Sequence, residues 1–531
     1  MKKIYLVALL SLLIAVLAAC SGGDKNSTDN NDSSNATSSE PKKGGSLTVA
    51  VTGDPNVLNP LYTGDRVSLT IQQALFAPLF YTDGGEVEPA LAESLTPSED
   101  NLTYTLKLKE GLTWHDGETL NADDIVFTMS SLLDEGQNSS IRGSFVYDGK
   151  PVQVTKVDET TVEFKLPVIA PAFESALQSL FPIPEHVFAG EADLQKSTKN
   201  SAPIGSGPFK FVEYKPSQYM KLERFDGYFA GAAYLDNVVF QIVKDENAAG
   251  LALQNGEINL KAIQPTEVEQ VKSTSNVELV TYPEYRLVYM ALNHNIEALQ
   301  NKKFRQALAL TLDRNDMIQA AFGSDEYAEP AYSIFTKDVE YLAADLEQNA
   351  QDVKKAKQLL EESGIDPSKL KLNMYFASNN KALEGIALYT QQQFKEIGVD
   401  LVLDAGDSST IFTAAEDREG TDYAFLLNGY IMGSEADSYK LLFMSNAAYN
   451  YANYKNATLD PLWEKGAVTP NGPERGAIYA EIQEALAEDV AVYPISYNYN
   501  VIALDKRYGG LEEAKPIPVT MVRDLSKIYL K

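Results

Sequence analysis

The chain has 531 residues, more than one hydrophobic core holds, so two or three structural domains are expected. Hydrophobic residues at 44% and charged residues at 22% are typical of a globular protein. The formal net charge of −29 argues against nucleic-acid binding, because that function relies on lysine and arginine side chains that contact phosphates.

Residues 1–20 have the pattern of a lipoprotein signal peptide. Lys2 and Lys3 form the positively charged n-region of a signal peptide. The apolar run that follows is shorter than the roughly 18 residues of a membrane-spanning helix. The run ends in the letters LAAC at residues 17–20, which resemble the bacterial lipobox. This resemblance implies cleavage before Cys20 and lipid attachment to Cys20. The alternative is an ordinary signal peptide with a chance cysteine.

Cys20 is the only cysteine of the chain, so a disulfide within the monomer is excluded and thiol catalysis has no other candidate. Residues 21–43 consist of polar residues with almost nothing apolar. Such a segment cannot bury enough surface to offset the entropy lost on ordering. It is predicted to be a flexible tether between a lipid and a globular body.

The stretch at residues 91–129 has the clearest local pattern. Apolar and polar residues alternate over 102–109, which predicts a strand with one buried face. The letters WHDG at 114–117 predict a turn. Asn121 is predicted to cap a helix whose first turn carries two aspartates, the charge that the positive end of a helix dipole favours.

The remaining elements alternate between strands and helices, which is typical of an α/β layer. Predicted strands lie at 47–51, 160–166, 238–243, 258–263, 370–376, 399–403, 423–427 and 492–504. Predicted helices lie at 68–80, 170–180, 245–254, 304–312, 353–360, 382–397 and 477–486.

For each candidate catalytic motif in the sequence, a structural role is favoured over a catalytic one. His115 beside Asp116 suggests part of a catalytic triad, yet neighbouring residues on a tight turn usually point apart and no nucleophile motif accompanies them. The chain has only three histidines, which are far apart in sequence, so a transition-metal site is not expected. The Gly- and Pro-rich segment 203–211 matches neither the GxSxG motif nor a phosphate-binding loop.

Several segments together resemble the family 5 extracellular solute-binding proteins, the peptide- and nickel-binding components of ABC importers. The hallmark is 87–129, with a strand, the WHDG turn and a helix. Further segments that resemble the family in the same order are 203–211, 222–240, 253–260, 302–317, 353–364 and 394–403. The chain is most similar to the lipid-anchored oligopeptide-binding members of Gram-positive bacteria, the App type.

The resemblance implies an α/β, two-lobed periplasmic-binding-protein-like fold of type II, with an extra subdomain inserted in the first lobe. The chain is expected to cross between the lobes near 285–292 and 493–497. The implied division is 44–80, 203–286 and 494–531 for lobe I, 81–202 for the inserted subdomain, and 287–493 for lobe II.

The implied function is capture of extracellular oligopeptides in the cleft and delivery to the ABC permease and its ATPase subunits, by a monomer without cofactor, metal or enzymatic activity. Because side chains vary, affinity is expected from the peptide backbone, which adds as a strand to a cleft edge. The alternatives are a nickel or metal-chelate binder on the same fold, a peptide-pheromone receptor and, less favoured, a secreted hydrolase.

The peptide-binding residues are predicted on four segments. Asn428 to Met432 is the candidate strand edge. Aromatic walls provide contact area at low entropy cost, and they are expected from Tyr430, Tyr493 and Tyr497. The family's dipeptide-binding and enteric oligopeptide-binding members tend to carry Gly-Trp and then an Asp that pairs with the ligand's amino terminus, whereas this chain has GYIMGS at 429–434, without that Asp. The full predicted set is Thr63, Gly64, Asp65, Tyr285, Arg286, Asn428, Gly429, Tyr430, Ile431, Met432, Tyr493 and Tyr497.

Overall fold

One long mixed sheet organises the protein. The structure is a computed structural model, and it describes residues 41–83, 86–346 and 349–531. Cys20, the predicted signal peptide and the predicted tether up to residue 40 lie outside the described residues. Among the helices of the described ranges, none combines the length and the hydrophobicity that crossing a membrane requires.

The described strands are β1 (Ser46–Val51), β2 (Phe80–Asp83), β3 (Glu86–Pro89), β4 (Ala92–Pro97), β5 (Thr103–Leu108), β6 (Val146–Tyr147), β7 (Lys150–Pro151), β8 (Gln153–Lys156), β9 (Thr161–Lys165), β10 (Phe209–Lys215), β11 (Tyr219–Arg224), β12 (Asn237–Ile242), β13 (Leu260–Ile263), β14 (Val277–Leu292), β15 (Ala328–Pro330), β16 (Leu372–Ala377), β17 (Leu401–Gly406), β18 (Phe425–Tyr430), β19 (Val492–Asp505), β20 (Tyr508–Gly509), β21 (Pro516–Ile517), β22 (Met521–Val522) and β23 (Tyr529–Leu530).

The described α-helices are α1 (Arg66–Leu75), α2 (Ala122–Leu133), α3 (Ala172–Gln178), α4 (Glu185–Phe188), α5 (Glu246–Gln254), α6 (Val268–Lys272), α7 (Glu297–Gln300), α8 (Lys302–Ala309), α9 (Arg314–Phe322), α10 (Val353–Ser363), α11 (Lys381–Lys395), α12 (Ser408–Ala415), α13 (Lys440–Phe443), α14 (Asp460–Val468) and α15 (Pro473–Asp489).

The main sheet has the order β10-β11-β12-β1-β13-β19-β14-β18-β16-β17, and β15 pairs with β19 beside this path. β10 to β13 and β1 lie at one end of the order and belong to lobe I. β16 to β18 lie at the other end and belong to lobe II. Hydrophobic clusters cover the sheet in both lobes, which fits strands that read as nearly continuous apolar runs.

The long strands β14 and β19 join the two lobes. They pair with each other in antiparallel order from Val277 opposite Asp505 to Ala291 opposite Val492. The ladder is interrupted twice, between Pro283 and Arg286 and again opposite Ile495. Both predicted crossings fall within these strands, and the exact lobe boundaries stay a prediction.

A separate four-stranded sheet, β4-β5-β9-β8, with α2 and α3 forms the inserted subdomain around its own hydrophobic cluster. The strand predicted over 102–109 is β5, and the expected helix cap is present: the Asn121 side chain accepts from the Asp123 N–H at 2.8 Å. Asp124 closes the capping box by accepting from the Asn121 N–H at 3.0 Å.

Candidate functional site

A large cavity of ≈ 1130 Å³ lies between the inserted subdomain and lobe II. The subdomain provides one wall from residues 140–148 and 168–179. Lobe II provides the opposite wall from residues 431–441, with Ala467 and Val468 beside it. The wall is completed by Tyr285 on β14 and by residues 517–518 near the carboxyl end of the chain. A site between two lobes is the usual location for a ligand that is enclosed when the lobes close.

A short hairpin shapes the subdomain wall. β6 and β7 are joined by Asp148 and Gly149, which both have positive φ, 49° and 68°. Asn-Gly and Asp-Gly are the usual residues of such two-residue hairpin turns. Tyr147 stands on this hairpin and its hydroxyl donates to the Ser144 carbonyl at 2.6 Å. This hairpin is not among the elements predicted from the sequence, although the Asp-Gly pair at 148–149 is a turn signal that indicates it.

The lobe II wall follows directly after β18. Gly433 turns the chain with φ 75°, and a short 3₁₀ segment then leads into α13. The Glu435 carboxylate accepts from the Asp437 N–H at 2.9 Å. The Asp437 carboxylate in turn pairs with Lys440 at 2.5 Å, and burial raises the pKa of Asp437. The polar groups of this wall are therefore held in place by local contacts.

The candidate strand edge is partly free of other strands. β18 pairs along its whole length with β14, from Leu292 opposite Phe425 to Leu287 opposite Tyr430. On its other side β16 pairs only with Phe425 and Leu426. Within the described residues, the far end of β18 therefore has no strand on that side. An unpaired edge of this kind is where an extended peptide can add by main-chain hydrogen bonds.

Of the predicted peptide-binding residues, Tyr285, Ile431 and Met432 line the cavity. Tyr285 has φ 50°, which a tyrosine rarely adopts, and it lies in the first interruption of the β14–β19 ladder. Asn428 and Gly429 are half-buried on β18, just before the lining segment. Arg286 lies beside them, and its Nη2 donates to the Gly429 carbonyl at 3.2 Å.

The three tyrosines predicted as aromatic walls have their rings in the cores of lobe II instead. Tyr430 is 7% exposed, packs on Tyr289 with ring centroids 5.2 Å apart, and its hydroxyl donates to the Ile334 carbonyl. Tyr493 is 1% exposed and lies 4.2 Å below the Arg314 guanidinium. The Tyr497 hydroxyl donates to the Phe335 carbonyl at 2.8 Å.

These three rings are not part of the cavity lining, which corrects the expectation that they form its walls. The physical reason is that both faces of the sheet in lobe II are covered by hydrophobic clusters. A strand inside such a sheet buries its aromatic residues on either face.

Thr63, Gly64 and Asp65 do not line the cavity either. The Thr63 hydroxyl donates to the Asn59 carbonyl at 2.9 Å, and the Asp65 carboxylate caps α1 by accepting from the Ser68 N–H at 2.9 Å. In this structure the loop therefore starts a helix. Its contact with a ligand stays a prediction.

His115 is engaged with the backbone of lobe I. Its Nδ1 accepts from the Gly205 N–H at 3.1 Å, so the ring proton lies on Nε2 and is donated to the Gly207 carbonyl at 3.1 Å. Burial lowers the pKa of His115 to about 4, so the ring is neutral at neutral pH. Asp116 pairs with His186 at 2.8 Å and not with its neighbour in sequence. The turn thus connects the subdomain to lobe I, and His115 and Asp116 have different partners.

A smaller cavity of ≈ 170 Å³ adjoins the large one. Both have in their walls Thr82, Ser175, Gln178, Asp338, Ser434 and Glu435. The small cavity is also lined by Arg475, whose side chain is 1% exposed and pairs with Glu435 at 2.5 Å. Within the described ranges, no three His, Cys, Asp or Glu side chains come together in a group that could hold a metal ion.

Comparison with known proteins decides the family. The sequence profile described as bacterial extracellular solute-binding proteins, family 5 Middle, matches residues 86–451. The chain belongs to this family. The solute-binding protein is 32% identical over 528 residues to the oligopeptide-binding protein AppA of Bacillus subtilis, an alignment that covers 95% of each chain.

Two solved structures are similar over almost their whole length. One is the ABC transporter substrate binding protein CtaP of Listeria monocytogenes, with 56% identity, a TM-score of 0.90, and coverage of 92% of this chain and 100% of that one. The other is Bacillus subtilis AppA in complex with a nonapeptide, with 30% identity, a TM-score of 0.74, and coverage of 93% and 100%. The α/β two-lobed fold of type II predicted from the sequence is confirmed.

Proposed function

We propose that this solute-binding protein captures extracellular oligopeptides in the large cavity and delivers them to the permease of an ABC importer. The observation that carries the proposal is the cavity itself. Its volume of ≈ 1130 Å³ is above the roughly 300–1,000 Å³ of pockets that enclose drug-sized molecules. A ligand of several residues fits this space better than a single amino acid or a small chelate does.

The walls of the cavity favour a ligand with varied side chains. Ile431, Met432 and Val468 are apolar, whereas Ser434 and Asp437 are polar. Such a mixed lining, with room for water, satisfies different side chains without selecting one of them. The AppA relative, whose solved complex contains a nonapeptide, supports the same proposal.

Affinity is proposed to come from main-chain hydrogen bonds at the end of β18. Successive backbone N–H groups of an extended peptide point in opposite directions, so only alternate amides can pair with one strand edge. A scan of N-methylated peptides tests this, because each methyl group removes one donor. We expect weaker binding for methylation at alternate positions. Equal effects at every position would contradict strand addition.

The first experiment is to identify what the protein binds. Protein purified from cells is examined by native mass spectrometry, and the released ligands are sequenced. A mixture of short peptides, recovered intact, supports the proposal. A single metal complex or cleaved peptides would favour a chelate binder or a hydrolase. One defined peptide would favour a signal receptor.

A pair of variants tests the location of the site. Ile431→Glu places a charge in the cavity wall and is expected to reduce the affinity for the co-purified peptides by about tenfold or more, because a buried charge needs a partner. Leu388→Glu is the matched control, since Leu388 is 53% exposed on α11 and does not line the cavity. Equal affinity of the two variants would show that the site lies elsewhere.

Membrane attachment is proposed to occur through lipid on Cys20. Cells that express the natural chain and the Cys20→Ala variant are compared by metabolic labelling with a fatty-acid analogue and by fractionation. The natural chain is expected to carry the label in the membrane fraction, and the variant is expected to lose the label. An unlabelled natural chain in the medium would indicate the alternative, an ordinary signal peptide.

A further inference from the structure

The charges of the small cavity are not balanced. Its walls carry four carboxylates, Glu174, Asp338, Glu340 and Glu435, and one cation, Arg475. Arg475 neutralises only Glu435, with which it pairs at 2.5 Å. Its guanidinium also donates to the Asn471 side chain at 2.7 Å and to the Gly466 carbonyl at 2.9 Å. Three carboxylates therefore remain, and none of them makes an ion pair within the described part of the chain.

Asp338 is the most unusual of the three. Its side chain belongs to the walls of both cavities, the residue is only 8% exposed, and its Oδ1 has no hydrogen-bond partner among the described residues. Leaving a carboxylate oxygen buried without a hydrogen-bond partner costs free energy, so a ligand that donates a hydrogen bond to Oδ1 would stabilise this site.

The carboxylates come from both sides of the cleft. Glu174 lies on α3 of the inserted subdomain, whereas Asp338 and Glu340 lie in lobe II. Glu340 and Glu435 are close enough to Glu174 for their negative charges to raise its pKa, in addition to the larger effect of burial. The two walls thus repel each other electrostatically, and a positive group between them would remove this repulsion.

We propose that the small cavity binds the cationic side chain, lysine or arginine, of a captured peptide, between Glu174 on the subdomain and Asp338 and Glu340 on lobe II. This inference rests on the proposed function, since it assigns a preference to the same peptide. The small cavity is a branch of ≈ 170 Å³ beside the large one, so a side chain enters it while the peptide backbone continues in the large cavity. Burial also raises the pKa of Asp338, and a bound ammonium or guanidinium group would lower it again.

Two other cations compete with a side chain as the ligand of the small cavity. A metal ion needs several ligands close together, and no such group of His, Cys, Asp or Glu exists within residues 41–83, 86–346 and 349–531. The amino terminus of the peptide is the other candidate, and the experiment below separates it from a side chain. A guanidinium or ammonium group carries several donors, which matches carboxylates that approach from two walls.

The test uses the full chain after its bound ligands have been removed by unfolding and refolding. The probes are pools of synthetic octapeptides with one central position fixed as lysine, arginine, glutamine or norleucine and the other positions neutral. Each pool is prepared with free and with acetylated amino termini. The bound peptides are quantified by mass spectrometry. We expect the lysine and arginine pools to be enriched by about tenfold over the glutamine and norleucine pools.

The variants Glu174→Gln and Asp338→Asn are expected to abolish most of this enrichment, which is measured within each variant as the ratio of its cationic to its neutral pools, so that a general change in peptide affinity cancels. Far-UV circular dichroism shows that the variants are folded. Glu396→Gln is the matched control, because Glu396 is an exposed carboxylate at the end of α11 and is not part of either cavity. It is expected to retain the full enrichment.

The outcomes separate the inference from the proposed function. Binding of all pools with equal affinity would overturn the cationic subsite and leave peptide capture standing. Enrichment that disappears when the amino termini are acetylated would assign the carboxylates to the terminus and overturn the side-chain assignment. Enrichment that persists in both carboxylate variants would also overturn it. A protein that binds none of the pools contradicts peptide capture itself, and the inference with it.

Discussion

Acid destabilisation through His115 follows from its contacts. The neutral ring accepts the Gly205 N–H at Nδ1, and a proton at that atom would face this donor directly. Burial lowers the pKa of His115 to about 4, whereas an unfolded histidine has a pKa of about 6.5. At neutral pH both states are uncharged. As the pH falls below about 6.5, the unfolded chain binds a proton that the folded chain does not, so stability is lost.

The size of this loss can be worked out from the two pKa values. At about pH 5 the unfolded histidine is almost fully protonated and the folded one is largely neutral. The difference corresponds to about 2 kcal/mol of unfolding free energy, and it grows to about 3 kcal/mol at still lower pH. His115→Asn removes the titrating group and retains an acceptor near the position of Nδ1. We expect this variant to lose less stability between about pH 7.5 and pH 5 than the natural chain does, by about 2 kcal/mol.

Urea unfolding at a series of pH values, followed by far-UV circular dichroism, measures the difference. His186→Asn is a suitable control, because His186 pairs with Asp116 at the surface of the same region and is not enclosed by backbone groups. The difference between the unfolding free energies of the natural chain and of His115→Asn must shift by about 2 kcal/mol in favour of the variant between about pH 7.5 and pH 5. Parallel decreases over the whole pH range would refute the reasoning.

Two further substitutions are expected to destabilise the protein, and the first of them has a matched control. Gly205→Ala would place a Cβ 1.9 Å from the Leu75 carbonyl oxygen, so we expect the free energy of unfolding, measured with urea, to fall by about 3 kcal/mol or more. Gly53→Ala is the control, because its Cβ would have nothing within 4 Å, and it should change the free energy of unfolding by less than about 1 kcal/mol. Glu435→Gln leaves the buried Arg475 guanidinium without its ion pair and should cost about 3 kcal/mol, while an unchanged unfolding midpoint would show that water replaces the carboxylate.

The hallmark segment could be predicted closely because its signals are local. The alternation over residues 102–109 predicts β5, and Tyr104, Leu106 and Leu108 are indeed the buried residues of that strand. The cap at Asn121 depends on atoms that are at most three residues apart. In this segment the alternation of the strand, the turn residues and the helix cap all favour the structure that is observed, so tertiary contacts do not have to override any local preference.

The cavity could not be assembled from local signals. Its walls combine residues 140–148, 168–179 and 431–441, which lie hundreds of positions apart in the chain. No periodicity relates such segments, and only the resemblance to a family placed any of them, namely Ile431, Met432 and Tyr285. The hairpin with Tyr147 belongs to the inserted subdomain, whose contribution to the cavity depends on how the subdomain lies beside lobe II.

The positions of Tyr493 and Tyr497 show why the direction of a side chain on β19 cannot be read from the sequence pattern. In a regular strand these two residues, four apart, would point to the same face. The ladder with β14 skips Ile495, and this β-bulge reverses the alternation. Tyr493 therefore packs in the core on one face of lobe II and Tyr497 in the core on the other. Because apolar and aromatic residues are nearly continuous along β19, its hydrophobic pattern does not indicate where a one-residue bulge lies.

The pairing of β14 with β19 determines how the lobes can move. Two separate linkers could bend independently, whereas these two strands form a single ribbon that must twist as one body. The register of the β14–β19 ladder shifts at Tyr285 on one strand and at Ile495 on the other, so we expect the ribbon to twist most easily at these two positions. Because Tyr285 also lines the large cavity, a ligand that fills the cavity contacts one of these two positions directly. A bound ligand is therefore expected to influence the angle between the lobes through direct contact with Tyr285.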